Sequence, residues 1–236
     1  ARKYVAQQVA PRFHDKLLDG LQRLKLADLL RRKNPYLFKA KAVNSAPDLI
    51  KRLLDAYLSS KEETIFGDFL EALAIHVCAE AFGGRKSNAE GIDLEFERND
   101  RRYIVAIKSG PNWGNSQQIK RMQANFNQAR KIAGKSVSVE AINGCCYGRD
   151  ANSHKGGYVK LCGQDFWALV SGVDDFYQLI VEPLGHDAKR RTDEFEHKYA
   201  AVINRFSQEF ISDYCDAQGN IDWSKLLKFN SGRAAN

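Results

Sequence analysis

Gly91-Ile92-Asp93-Leu94-Glu95-Phe96-Glu97 and, after the polar insert Arg98-Asn99-Asp100-Arg101-Arg102, Tyr103-Ile104-Val105-Ala106-Ile107-Lys108-Ser109-Gly110-Pro111-Asn112-Trp113-Gly114-Asn115 form the stretch that decides this fold. Both halves alternate apolar and polar residues with the period of half-buried strands, and the insert between them supplies a turn, so the pair predicts a β-hairpin. Successive strand side chains point to opposite faces. Asp93, Glu95 and Glu97 are therefore expected on one face of the first strand, and Ala106 and Lys108 on one face of the second.

A hairpin that brings an acid and a lysine together suits metal-dependent hydrolysis of a phosphodiester. A carboxylate binds a hard divalent cation, and Mg²⁺ needs only one or two carboxylates besides waters and phosphate oxygens. An ammonium, a compact point charge, orients water or stabilises charge building on phosphorus. Asp93 is the expected metal anchor and Lys108 the expected electrostatic group. Ala106, two residues before the lysine, cannot bind metal, so a second carboxylate must come from elsewhere. Glu71 leads: it lies among Phe69, Leu70, Ala72 and Leu73, where a carboxylate is costly unless paired or bound to a cation. A salt bridge to a buried basic group explains it otherwise. Glu95 is the second candidate, with a solvated strand residue as the other reading of it; Asp68 is the third, unless it only favours the helix amino end.

Outward from the hairpin, residues 1–60 read as helices: Phe13, Leu17, Leu18, Leu21, Leu24 and Leu26 recur at helical intervals, as do Leu49, Ile50, Leu53, Leu54 and Leu58, with Asn34-Pro35 as a break. Ser59-Ser60 reads as a cap for a helix that runs to Gly83-Gly84 and is apolar enough to lie inside. Beyond Gly110-Pro111, an amphipathic helix is expected over about 116–133, a strand over 137–142, a polar loop over 147–157 and a short strand over 158–161. Helices follow at 166–170 and about 188–214, with a last turn near 221–227. No internal repeat appears. The expected architecture is α/β: a mixed central sheet flanked by helices, with helical amino- and carboxy-terminal extensions. The expected division is a basic helical segment 1–60, for DNA binding or dimerisation, and a core with carboxy-terminal helices over 61–236.

At 236 residues and 44% hydrophobic content the chain can bury a large core. No apolar run reaches the roughly 20 residues of a membrane span, and the start lacks a secretory stretch, so a cytoplasmic protein with no membrane partner is expected. Five cysteines without a CxxC pair read as reduced thiols, and five histidines (His14, His76, His154, His186 and His197) show no zinc spacing. His76 reads as a satisfied core histidine. Of the net charge of +7, residues 1–60 hold 13 Lys/Arg against 5 Asp, an excess of 8 that leaves the remainder near neutral. Basic excess confined to one segment points to a polyanion partner, because each cation placed on a phosphate releases condensed counterions. A solvated helical surface is the alternative.

The run Lys108-Ser109-Gly110-Pro111-Asn112 resembles the catalytic hairpin of type II restriction endonucleases in the PD-(D/E)XK nuclease superfamily. The wider layout is similar to the group that cuts GGNCC-type sites, through Phe66-Gly67-Asp68-Phe69-Leu70-Glu71, Gly91-Ile92-Asp93, Gly163-Gln164-Asp165-Phe166-Trp167 and Gly219-Asn220-Ile221-Asp222-Trp223-Ser224-Lys225-Leu226-Leu227. The likeness covers about residues 60–230. It implies that Asp93 is the invariant acid, that Lys108 is the motif lysine, and that the Ile107 carbonyl helps hold Mg²⁺. Ala106 departs from the superfamily's usual glutamate. The resemblance also implies in-line attack of water on phosphorus in double-stranded DNA, 5′-phosphate products, and a cognate DNA methyltransferase that acts on the same site.

The loop and helix after Lys108 are rich in amides and bases, which suits base edges and phosphates but equally suits a solvated helix face. Asn112, Trp113, Asn115, Gln117 and Lys120 are the expected DNA contacts there, with a buried core position as the alternative for Trp113. Arg149 is expected to contact DNA from the loop 147–157, which also carries Asn152, His154 and Lys155 and could instead be a plain linker. A palindromic site needs two active centres related by a twofold axis, so a homodimer is expected. The rival readings are a repair or structure-specific nuclease and a catalytically inactive DNA-binding module.

Overall fold

The computed structural model describes residues 2–134, 138–184 and 188–233, so the expectations at Val137 and His186 lie outside the described residues. In chain order the elements are α1 (Arg2–Tyr4), a π-helical turn (Val5–Val9), α2 (Ala10–Arg23), α3 (Leu26–Arg32), α4 (Pro35–Ala40), α5 (Ala46–Phe82), β1 (Arg85–Lys86), β2 (Leu94–Arg98) and β3 (Arg101–Lys108). They continue with α6 (Ser116–Ala133), β4 (Ser138–Cys145), β5 (Val159–Cys162), α7 (Gln164–Ser171), α8 (Phe176–Leu179), α9 (Val181–Leu184), α10 (Ala188–Tyr214) and α11 (Trp223–Ser231). The fold is α/β, with a five-stranded mixed sheet flanked by helices and helical segments at both ends. No described helix is long and apolar enough to cross a membrane.

Residues cluster into two compact units, Ala1–Ala10 with Phe66–His186, and Pro11–Ile65 with Asp187–Asn236. The carboxy-terminal helices thus group with the helices of 11–65.

In the sheet unit the strand order is β1-β2-β3-β4-β5, with β1/β2 and β2/β3 antiparallel and β3/β4 and β4/β5 parallel. The hairpin turn is tighter than the polar insert suggests. Arg98 pairs with Arg101, leaving only Asn99 and Asp100 in the loop, at φ +51° and +57°. Those left-handed values at both positions match the two-residue turn whose twist suits a hairpin, and Asn and Asp tolerate them best after glycine. Expected alternation fails in β3, where Ile104, Val105, Ala106 and Ile107 are all buried. A central strand with covered faces reads as an apolar run rather than an alternating one. One face carries Ile92, Ile104, Ala106 and Ala141 beneath Met122, Phe126 and Ala129 of α6. On the other, Phe82 at the end of α5 stacks on Phe96, which stacks on Tyr103 across the hairpin, with ring centroids 5.8 and 4.9 Å apart.

Ser59-Ser60 does not start a helix, because α5 runs unbroken through both. Ser60 Oγ donates to the Ala56 carbonyl one turn back, and Thr64 Oγ1 donates to the Ser60 carbonyl. A serine hydroxyl can serve a helix interior this way as readily as it caps an end, so the pair alone does not fix a boundary. Asp68 therefore lies mid-helix, not at an amino end. The expected stop is real: Gly83 takes φ +67°, and Gly84 N–H donates to the Cys78 carbonyl. His76 is no core residue, since its side chain is 32% exposed, stacked on Tyr4 at 4.2 Å and 3.5 Å from Glu80.

The second unit is helical. Leu17, Leu21, Leu29, Leu49, Ile50, Leu54, Phe206, Phe210 and Leu226 are buried there, each full burial worth about 1.5–3 kcal/mol. Asn34 caps α4 by accepting from Tyr36 N–H with Pro35 at the first helical position, which is why that dipeptide separates two helices.

Candidate active site

Asp93 lies one residue before β2, but its main-chain N–H already donates to the Val105 carbonyl at 2.8 Å and so joins the ladder. Its side chain is fixed too: Oδ2 accepts the Ile107 N–H at 2.7 Å. One carboxylate oxygen is held by the backbone of the strand that carries the lysine. Lys108, the last residue of β3, sets its ammonium 4.0 Å from Asp93 Oδ2 and 5.3 Å from the centroid of the Trp113 ring. At that distance from the acid it makes no direct hydrogen bond, and it keeps donors for another ligand.

Glu71 reaches this place from α5. Burial pushes its carboxyl above the ordinary 4.5, and the negative charges of Asp93 and Asp68 push the same way while Lys86 and Lys108 pull back. It faces an open cleft of about 600 Å³ lined also by Tyr4, Asp68, Ala72, Ile75, His76 and Lys86. Among the described residues no buried base neutralises it. Its ion-pair partner is Lys86 of β1, 4.0 Å away with a side chain 73% exposed. Close approach of α5 to the end of β3 explains Gly67, where an added Cβ would stand 2.6 Å from Ser109 Oγ.

The other acids are engaged differently. Glu95 pairs with Arg85 at 2.7 Å and Glu97 with Arg102 at 3.0 Å, so the first strand does not present three free carboxylates. Asp68 is exposed one turn before Glu71. Among the described residues no three His, Cys, Asp or Glu side chains gather as a metal cluster. The Asp93 carboxylate, bonded to the Ile107 main chain, and the Glu71 carboxylate are the two acids that feel each other's charge. Two carboxylates completed by waters and phosphate fit a small hard cation better than a softer one.

Ala106 is 1% exposed within the cluster of Met122 and Phe126. Its carbonyl accepts from Nδ2 of Asn143, its register partner on β4, and Asn143 Oδ1 accepts from Trp113 Nε1 at 3.0 Å. Trp113 thus stands half-buried against the core, its N–H engaged and its ring beside the Lys108 ammonium. Asn115 caps α6, its Oδ1 accepting from the main chain of Gln117 and Gln118. Asn112, Gln117, Lys120 and Arg149 are exposed.

The loop after β4 contains an ion cluster that spacing did not reveal. Asp150 Oδ1 is 2.9 Å from Lys155 Nζ and Oδ2 is 2.9 Å from Lys160 Nζ, so Lys155, one of the basic residues of that loop, is bound within it. Lys86 left no mark in the sequence. Asn143 did, as a polar residue inside Ala141-Ile142-Asn143-Gly144-Cys145, because a buried amide needs a partner.

A search of curated proteins finds no match. The family described as type II restriction endonuclease EcoO109I matches residues 1–192 of the 236, a span that includes every residue of the site above. An acid held at the start of β2 beside a lysine at the end of β3, with a second carboxylate from the preceding helix, is a fitting arrangement for a DNA-cleaving hydrolase, and on that match the chain belongs to the type II restriction endonuclease EcoO109I family.

Proposed function

We propose that this type II endonuclease cuts double-stranded DNA with Mg²⁺ at the Asp93, Lys108 and Glu71 site, in the manner of the PD-(D/E)XK nucleases. The observation that carries the reading is the electrostatic mismatch around Glu71. A carboxyl raised by burial and by a second carboxylate, whose ion-pair partner among the described residues is the exposed Lys86 at 4.0 Å, is a place where a cation would be welcome.

In this reading Asp93 and Glu71 hold the ion, and the Ile107 carbonyl completes the protein's donors. When bound, Mg²⁺ supplies charge to the phosphoryl oxygens and lowers the pKa of a coordinated water. Ile107 N–H keeps Asp93 in one orientation. Lys108, steadied between Asp93 and the Trp113 ring, places its ammonium where charge develops on phosphorus. In-line attack of water would form the new P–O bond as the P–O3′ bond breaks, leaving a 5′-phosphate and a 3′-hydroxyl. Asn112, Gln117, Lys120 and Arg149 contact the duplex, and Trp113 acts by placing Lys108.

A short palindrome, GGNCC-like by the resemblance of the motifs, is the proposed site, cut by a homodimer whose two centres face the two strands. The basic residues 1–60 serve DNA binding or dimerisation, and a methyltransferase of the same specificity protects the host. Incubating purified protein with plasmid and Mg²⁺ tests the reading. Discrete fragments are expected, with Asp93→Ala reducing the rate by about a thousandfold or more; smeared or absent products at every salt concentration, or an equally active Asp93→Ala, would overturn it.

A further inference from the structure

We infer that Lys160 is a positioning residue for sequence reading, the tie that joins the strap after Lys108 to the loop after β4 as one DNA-facing surface. The inference rests on the nuclease reading for its ligand, a DNA duplex. It does not rest on the Asp93 chemistry.

Lys160 lies on β5, opposite Asn143 of β4. Those two neighbours hold two points of one strap. Lys160 Nζ donates to the Pro111 carbonyl at 2.9 Å, and Asn143 Oδ1 accepts from Trp113 Nε1 at 3.0 Å. The same ammonium is 2.9 Å from Asp150 Oδ2, and the side chains of Lys160 and Asp150 are only 14% and 16% exposed. Asp150 in turn organises its loop: Oδ1 accepts from Lys155 Nζ at 2.9 Å and from Asn152 N–H at 3.0 Å. Lys160 N–H donates to the Ser153 carbonyl at 2.7 Å. The two segments also touch directly, since a Cβ at Gly148 would stand 2.5 Å from the Pro111 ring and one at Gly110 would stand 2.5 Å from the Tyr147 ring.

What this cluster carries outward decides its use. The strap presents exposed Asn112, and the loop presents exposed Arg149, Asn152 and His154. Amides and guanidinium groups read base edges only when their spacing matches the groove, so a shift of about 1 Å between the two segments weakens reading. Asp93, Lys108 and Glu71 stand outside the cluster. Loss of Lys160 would leave the Pro111 carbonyl without its donor and Asp150 Oδ2 without its lysine, with Lys155 and the Asn152 N–H still on Oδ1. The chemistry would persist while discrimination relaxed.

Selection of bound duplexes from a random pool in Ca²⁺, which needs no cleavage, tests this with wild type, Lys160→Met, Lys160→Arg and Asp150→Asn. Wild type should return a consensus, and Lys160→Met should lose about tenfold or more of its preference at one or more positions, with Lys160→Arg regaining part of it. On a selected duplex in Mg²⁺, KM should rise while kcat stays within about threefold. Asp150→Asn, nearly isosteric, serves if Lys160→Met does not fold. An unchanged consensus in the folded variants overturns the inference, as does a wild type that returns none. A wild type that selects a consensus but never cuts would sink the nuclease reading and leave this one standing.

Discussion

Two clusters of acid and lysine stand on the same sheet and behave in opposite ways. Around Asp150 the charges close at 2.9 Å on both oxygens, and the Lys160 and Lys155 ammonium groups hold its carboxyl well below the usual range. Around Asp93 and Glu71 the lysines stand off at 4.0 Å, and Glu71 is pushed upward. A satisfied cluster is structure. A cluster whose like charges are held close by the backbone, with partners too far to neutralise them, costs stability and persists in a fold because something else completes it. Under the proposed function the loose cluster is the one we place in the reaction, and the tight one in the scaffold that aims it.

Lys108→Ala is the strongest way to break this contrast. Among the described residues its ammonium makes no direct hydrogen bond, so its removal should leave the thermal midpoint nearly unchanged and reduce cleavage by about a thousandfold, on the order of 4 kcal/mol. A variant that unfolds instead would mark Lys108 as scaffold and erase the difference between the clusters.

Glu71→Gln should cost less, about a hundredfold in rate at saturating DNA, because Asp93 remains. The sign of its effect on stability is the sharper readout. A carboxyl raised in the fold favours the folded state fully below its ordinary 4.5, and that advantage is lost as pH rises through the elevated value. At neutral pH the ionised Glu71 thus burdens the metal-free fold, so glutamine should raise the thermal midpoint there while leaving it unchanged near pH 4. Wild-type cleavage should fall on acidification from a higher pH than an ordinary carboxylate would give. A midpoint lowered at neutral pH would show that Glu71 is structurally satisfied after all.

Ala106→Glu asks whether the missing carboxylate could be restored. Ala106 packs beneath Met122 and Phe126 at 1% exposure, so a glutamate there must overfill the cluster and bury a charge. Destabilisation of about 2–4 kcal/mol in urea titration is expected, with no gain in cleavage. A stable, faster enzyme would mean that this face opens toward the metal.

The hairpin was legible because its evidence is local. Alternation at its outer ends, the Asn99-Asp100 turn and the Gly110-Pro111 break each speak through one or two residues. The continuous α5 was not, because Ser59-Ser60 serves a helix interior as well as an end and only packing chooses. Glu71 could be picked out as an acid among apolar neighbours, and its carboxyl is raised by burial and by the charge of Asp93. Its partner Lys86 could not, since an exposed lysine in a two-residue strand has no pattern. The Asp150 cluster was hidden for a related reason. Its lysines look like any basic loop residues until β5 aligns Lys160 with Pro111, a contact 49 residues away in sequence.

Trp113→Phe is the mildest test, and it probes where the two regions meet. The ring stands between the loose cluster, 5.3 Å from the Lys108 ammonium, and the sheet, where its Nε1 binds Asn143. Phenylalanine keeps an apolar ring but removes that donor, leaving Asn143 Oδ1 buried without it; Asn143 is 1% exposed. Losing one partner of a buried hydrogen bond costs about 1–3 kcal/mol, so a fall in urea stability near the lower end is expected, since phenylalanine still fills most of the space. Cleavage should drop only severalfold, because the weaker quadrupole of phenylalanine still faces the ammonium. Restoring stability with Asn143→Leu in the same chain, without restoring rate, would separate the two roles. If both recovered together, Trp113 would act on Lys108 only through the fold, and the ring itself would contribute nothing to the placement of the charge.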